Sequence, residues 1–521
     1  MKFIKSILAV VLAMSFMLVF VACGEDESTN TTTAKSTVTT AAENASVSQT
    51  TTASASVSAK ATTTKAKVLT KAPEGVSEVA NLIARTTNKK GNPSANFIKS
   101  LKGYKLKIFY PWTPESKGSV KELKESALSS IDAVEKEFGV TIKEDGKFTS
   151  YNETLTADLT AGKADSQVYM VQNYNFASYF KNGFITDLTT GMAKSGVDFK
   201  DPWYVSAANA FFNINYKQYA WISFDAEYVF PTVIIYNKSL INKKKLTDPA
   251  KLAEKGQWTW DKLSQYAKKL TDSTTKVDGF VSSAETLATA VLAQNNSSFV
   301  TVKKGSSPTP NLSSQTVKDA LSQMYTWTKT GGICETYKNK DWTYAKTQLA
   351  SGKVAMLVGS HDYIQNLAAA KTSDDFGVVQ FPTKKGTKTY TNYAVPQFPC
   401  FIPSKYSKEA DKILFLRNEL YRQNYRYAQR NFTYQWNKYF DDDDVLDYAC
   451  NIKYGRKGNT TVFDWSSVCL PNGSNVKTFN SIVTHVRDNN GDVQGAISKY
   501  SASITKSFKS VWDGYRITGN V

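Results

Sequence analysis

With 521 residues the chain is too long for a single hydrophobic core, and about two folded lobes plus tails is the expectation. Apolar residues make up 41% and aromatics 12%, which excludes a wholly disordered polymer. The formal charge of +18 rests on 56 Lys and only eight Arg, with no basic block or groove motif beside them, so lysine reads as solvated surface and nucleic acid is not an expected partner.

Met1 to Ala22 carries Lys2 and Lys5, an apolar run from Ile7, and a small residue before Cys23-Gly24 and an acidic pair. That order is a secretory signal over 1–22; an uncleaved membrane helix is the alternative. Residues 27–67 are mostly Ser, Thr, Ala and Lys, with little to bury, so 23–70 is expected to be a disordered tether. As a random coil it spans roughly 35 to 40 Å. A linker with a short helix is expected over 71–99.

The run LKIFY over 106–110 is a strand, stopped by Pro111-Trp112-Thr113-Pro114. A helix of about twenty residues ends at Phe138, with Leu123, Ala127, Ile131, Val134 and Phe138 on one face. Gly139 stops it and VTIK restarts a strand, which makes a βαβ unit with a parallel sheet. A helical stretch around Leu155 to Leu159 leads to a strand, SQVYMV, and the turn Gln172-Asn173-Tyr174-Asn175. Ligands of open parallel sheets lie beyond the carboxyl ends of strands, where Trp112 and this turn are both placed.

An aromatic-rich stretch including Tyr216, Trp221, Tyr228 and Phe230 leads into a β-branched strand, Val233 to Tyr236. Asp248 can cap a helix with Pro249 at its first position, and Thr259 a second whose buried stripe is Leu263, Tyr266, Ala267 and Leu270. A helix from Trp342 to Leu349 precedes a strand over 352–360, followed by His361-Asp362-Tyr363. Strands follow at 376–382 and within 390–402, and a long helix over 407–430 presents Arg422, Arg426 and Arg430 on an outer face. Asp441 to Asp444 lacks the spacing of a calcium loop and reads as a solvated turn. The cysteines include no CxxC pair; a Cys450–Cys469 disulfide and buried free thiols both remain open.

The order of strand, YNK turn, short helix and TWD-initiated helix over 230–272 resembles the extracellular solute-binding proteins of ABC importers, above all the carbohydrate-binding group. So do G-x-x-D at 162–165 before the strand SQVYMV, G-x-x-A-M at 352–356 and F-G-V-x-x-x-P at 376–382. The resemblance covers about residues 100–521. It implies an α/β, two-lobe periplasmic-binding-protein-like fold, each lobe a mainly parallel sheet flanked by helices and joined by a hinge. Lobe 1 is expected over 100–229 and 388–425, lobe 2 over 230–387 and 426–521. Val21-Ala22-Cys23 resembles a lipoprotein cleavage site, with Phe20 where Leu is usual and Cys23 as the lipidated residue. It places the protein, a monomer, on the extracellular face of a membrane of the Gram-positive type, with ABC permease subunits as partners, no cofactor and no chemistry on the ligand.

Two His and no GxSxG, HExxH or Walker loop leave a two-carboxylate glycosidase as the enzymatic alternative. The plentiful aromatics suit a sugar, whose C–H face packs on flat rings while polar side chains bond its hydroxyls. The expected ligand residues are Trp112, Gln172, Asn173, Tyr174, Tyr228, Phe230, His361, Asp362 and Phe479. His361 stands where many sugar binders carry a stacking Trp; its structural reading is a partly buried, hydrogen-bonded residue. Trp258 and Trp260 are read as packing. Alternative ligands are an acidic glycan, a peptide or a polyamine, and an alternative role is a surface sensor.

Overall fold

Leu106, Ile108 and Tyr110 alternate with more exposed residues, and that alternation buries one face of β1 (Lys105–Tyr110). The computed structural model describes residues 93–118, 121–146, 151–223, 231–330, 333, 342–360, 367, 374–439, 443–453, 456–471 and 478–521. Helix α1 (Lys121–Phe138) follows β1, burying Ala127 and Val134, and Gly139 ends it at φ +64°. β2 (Thr141–Gly146) then pairs parallel with β1. α2 (Tyr151–Thr160) leads to β3 (Val168–Met170), parallel to the other side of β1, and α3 (Phe176–Lys181) and α4 (Thr189–Ser195) come next.

β4 (Val233–Asn237) is buried at every position. Asn237 then caps α5 (Lys238–Lys243), Asp248 caps α6 (Pro249–Glu254), and Thr259 caps α7 (Trp260–Leu270). The stripe of α7 is the expected one, Leu263, Tyr266, Ala267 and Leu270. α8 (Ala284–Gln294) and α9 (Gln315–Tyr325) precede β5 (Met356–Gly359) and β6 (Phe376–Val379). β4 runs antiparallel to both of these neighbours, although residues 278 and 281 bridge in parallel to the β5 segment. No helical crossover delivers β4 from a preceding strand of its own sheet, so the constraint that makes such strands parallel does not act on it.

The chain returns through β7 (Tyr390–Ala394) to β8 (Cys400–Phe401), which pairs antiparallel with β3 and completes the first sheet in the order β8-β3-β1-β2. Outgoing and returning segments run side by side: the Trp221 and Cys400 backbones bond each other, and the Thr232 N–H donates to the Tyr393 carbonyl. α10 (Ala410–Tyr439) is longer than the 407–430 expected and packs on α1 and α4. On it Arg417 is fully buried, its guanidinium 4.1 Å from the Tyr421 ring centroid and 5.6 Å from that of Tyr110. Arg422 bonds Glu419 on the same helix; the side chains of Arg426 and Arg430 lie outside the described residues.

Asp443 and Asp444 open a helix, Asp443–Lys453, instead of a turn, because acidic residues suit a helix amino end; Asp441 and Asp442 lie outside the described residues. β9 (Asn459–Phe463) pairs parallel with β7. α11 (Phe479–Asp488) and α12 (Val493–Trp512) pack with α8 and α9. Trp465 stacks on Phe211 at 4.1 Å and Trp512 on Phe180 at 5.9 Å, tying the carboxyl-terminal segment to the region after β3. Cys400 is buried with its sulfur 3.6 Å from the Tyr421 hydroxyl, and Cys469 is a buried thiol outside any disulfide, which sets aside a Cys450–Cys469 bridge. Among the described residues no helix is long and apolar enough to cross a membrane; the apolar run before Cys23 lies outside them.

Candidate functional site

β1, β2 and β3 run parallel, so their carboxyl ends share one edge of the first sheet, and the antiparallel β8 starts there. Trp112, Gly146, Gln172 to Asn175 and Phe398 are thereby gathered at that edge. Trp112 is half-buried, its ring edge-on to Phe398 with centroids 4.7 Å apart. Phe398 has φ +57°, a left-handed conformation that a bulky side chain adopts only where its surroundings hold it. The loop carrying Trp112 is clamped from β2. Glu144 accepts hydrogen bonds at 2.7 Å from the hydroxyls of both Tyr110 and Ser116, and Gly146 leaves room for the Trp112 carbonyl.

The turn after β3 is organised by Asn152, the second residue of α2. Its Nδ2 donates to Gln172 Oε1 at 3.1 Å and to the Tyr174 hydroxyl at 2.9 Å, while its Oδ1 accepts from Asn175 Nδ2 at 2.7 Å. Asn173, nearly buried, donates from Nδ2 to the hydroxyl of Ser467 at 2.8 Å. That bond joins the turn to the segment just after β9. Burial pushes the Tyr174 hydroxyl up in pKa, against the bond from Asn152.

Beside Ser467, Asp464 accepts at Oδ1 from the Ser466 amide (3.1 Å) and hydroxyl (2.5 Å). Burial raises its pKa despite those bonds. Glu285, the second residue of α8, is raised to about 7, by burial first and by the charge of Asp464 second. Tyr393 closes this group, its hydroxyl donating to the Thr286 carbonyl at 3.4 Å. Carboxyl groups accept hydrogen bonds from a polar solute, and burial makes both of these easier to protonate than a free acid. Among the described residues no group of His, Cys, Asp and Glu is arranged to hold a metal ion.

Of the residues expected from sequence, Trp112, Gln172, Asn173 and Tyr174 lie together at this edge. Tyr228, Phe230, His361, Asp362 and Cys23 fall outside the described residues. Phe479 is instead in the core, 2% exposed and stacked on Phe299 at 5.4 Å, with no face left for a ligand. The signal was there: Phe479, Ile482, Val483 and Val486 form a helical apolar stripe. Trp258 is fully buried and donates to the Gln380 carbonyl, and Trp260, partly buried, to that of Pro382. Glu144, Asn152, Glu285, Phe398, Asp464 and Ser467 were not anticipated; no local pattern marks them, since only the fold brings Phe398 to Trp112, Asn152 to the 172–175 turn, Ser467 to Asn173 and Asp464 to Glu285.

A family model described as bacterial extracellular solute-binding protein matches residues 129–412, more than half of the chain. UgpB from Mycobacterium tuberculosis, in complex with glycerophosphocholine, superimposes with a TM-score of 0.54 at 16% identity, covering 78% of this chain and 98% of its own. A solute-binding protein of an ABC transporter from Agrobacterium radiobacter K84, in complex with ribitol, reaches 0.50 at 17% identity over 78% and 99%. A cyclo/maltodextrin-binding protein complexed with maltotetraose reaches 0.50 at 15% identity over 79% and 96%. At such identities the likeness is one of fold, the two-lobe architecture of periplasmic-binding proteins. Among curated proteins no sequence matches the chain. The chain belongs to the bacterial extracellular solute-binding proteins.

Proposed function

We propose that the protein captures a neutral sugar or oligosaccharide between its two lobes and delivers it, chemically unchanged, to an ABC permease. The observation that carries this is the edge of the first sheet. A half-buried Trp112 held edge-on by Phe398 stands beside the amide and hydroxyl groups of Gln172, Asn173 and Tyr174, the pairing of flat ring and polar rim that a pyranose requires. Glu285 and Asp464 supply further polar groups from beyond the first sheet. A ligand that touches both lobes favours their closed arrangement, and that arrangement docks on the permease. The lobe limits, the contributions of Tyr228, Phe230, His361 and Asp362, the monomeric state and the lipid anchor at Cys23 belong to the same reading.

A cationic solute such as a polyamine is the second reading, favoured by the neighbouring carboxyl groups of Glu285 and Asp464; the same groups disfavour an acidic glycan. Calorimetric titration with neutral mono- and oligosaccharides, uronate-containing fragments and polyamines decides between them. Neutral sugars are expected to bind, and Trp112→Ala to weaken them by about 1–3 kcal/mol. Inert sugars beside a binding polyamine would establish the second reading. Reducing ends released from a polysaccharide by the purified protein would show a glycosidase instead.

A further inference from the structure

The net charge is unevenly divided. Residues 95–230 hold 15 Lys against 16 Asp and Glu, whereas residues 231–390 hold 22 Lys against 12, with no Arg in either stretch. The excess is densest over 238–276, where ten Lys meet only Asp248, Glu254, Asp261 and Asp272. The fold gathers these residues into one face. Tyr266 of α7 donates to the Thr247 carbonyl at 2.7 Å, Lys244 pairs with Asp272 at 3.6 Å, and Lys353 donates to the Thr275 carbonyl at 2.7 Å. Lys243, Lys244, Lys245, Lys268, Lys269 and Lys276 are all exposed on it. No exposed large apolar side chain lies in the stretch.

We propose that this lysine face, built by α5, α7 and the loop after α7, docks on an anionic phospholipid surface and sets the orientation of the protein there. A lysine ammonium is a compact, hydrated point charge without the fork that reads individual phosphates, so the face senses surface charge density and not a particular headgroup. Lacking exposed apolar groups, it rests at headgroup level without insertion. The imbalance between these two stretches turns such attraction into a preferred orientation, since residues 95–230 are nearly neutral. The anchor proposed above would keep a membrane within reach, but the charge argument stands without it.

The test compares the full-length protein on vesicles rich in phosphatidylglycerol with the same protein on pure phosphatidylcholine, so that the apolar amino terminus contributes to both. Lys243→Glu/Lys244→Glu/Lys245→Glu is set against Lys499→Glu/Lys506→Glu/Lys509→Glu, three exposed lysines of α12 that impose the same change of net charge. The preference for anionic vesicles is expected to fall about 100-fold in the first variant and only about 3-fold in the second, and to vanish in concentrated salt. An equal fall in both variants, a wild type indifferent to phosphatidylglycerol, or insensitivity to salt overturns the proposal, as does binding of soluble polyphosphate in preference to vesicles. Solute affinity, measured on the same variants, is expected to stay unchanged, which separates this inference from the reading of the cleft.

Discussion

Gly146 offers the sharpest test of the loop that carries Trp112. It ends β2 opposite Tyr110, and a Cβ added there would overlap the Trp112 carbonyl oxygen, lie 2.9 Å from the carbonyl carbon and 3.1 Å from Pro114 Cδ. The added Cβ would fall far inside the 3.0 Å under which such contacts essentially never come, so Gly146→Ala forces the Trp112–Pro114 backbone to yield by more than about 1 Å. Glu144 resists, because Tyr110 and Ser116 are bonded to its two carboxylate oxygens. The strain is expected to cost about 1–3 kcal/mol of stability, the usual range for overpacking. The displaced ring should also lose about 10-fold or more in solute affinity, because a ring moved by about 1 Å no longer matches the sugar face. Chemical denaturation and calorimetric titration on one preparation read both quantities. Stability lost with affinity intact would refute the placement of Trp112 against the ligand; neither quantity changing would refute the close approach itself.

Asn152→Ala removes three bonds from the turn after β3 and is expected to lower solute affinity about tenfold, the worth of one or two net hydrogen bonds, with little change in melting temperature. An unaltered affinity would show that the turn needs no such support. Glu285 has its pKa raised from 4.5 to about 7, so the folded state prefers the neutral acid. Its stability contribution is therefore present at acid pH and lost as pH rises from 4.5 through about 7, and Glu285→Gln, which stays neutral, should gain in melting temperature over the wild type across that window. A difference independent of pH would show that Glu285 titrates normally. Trp258→Ala should cost about 3–5 kcal/mol in denaturant and leave solute binding intact in the folded fraction, since its ring is core and its Nε1 bonds the Gln380 carbonyl.

Much of the second sheet and its helices was legible because their signals are local. A β-branched run made β4, and Asp248, Pro249 and Thr259 fixed two helix starts through caps that need only neighbouring residues. Trp112 and the 172–175 turn were legible for a different reason: strand ends in a parallel sheet fall on one edge, so counting strands suffices to place them. The antiparallel course of β4 was hidden, since strand direction depends on the route by which the chain enters a sheet, and that route is set by distant pairings such as Trp221 with Cys400. Phe479, named among the candidate ligand residues, belongs instead to a helical apolar stripe with Ile482, Val483 and Val486, a pattern that local reasoning can read.

Asp464, Ser467 and Glu285 lie beyond any local reading, and the reason is physical. A carboxylate on an open surface and one crowded by distant segments can have the same sequence neighbours. What distinguishes them is the protein that displaces water around them, which for Glu285 includes the segment after β9 and for Asp464 its own turn through Ser466. The bond from Asn173 to Ser467 spans 294 positions and joins the most sequence-legible part of the site to the least. It also ties the turn after β3 to the segment that follows β9. A rearrangement that separated those two segments would break it and return a buried amide to water, at the cost of about one net hydrogen bond.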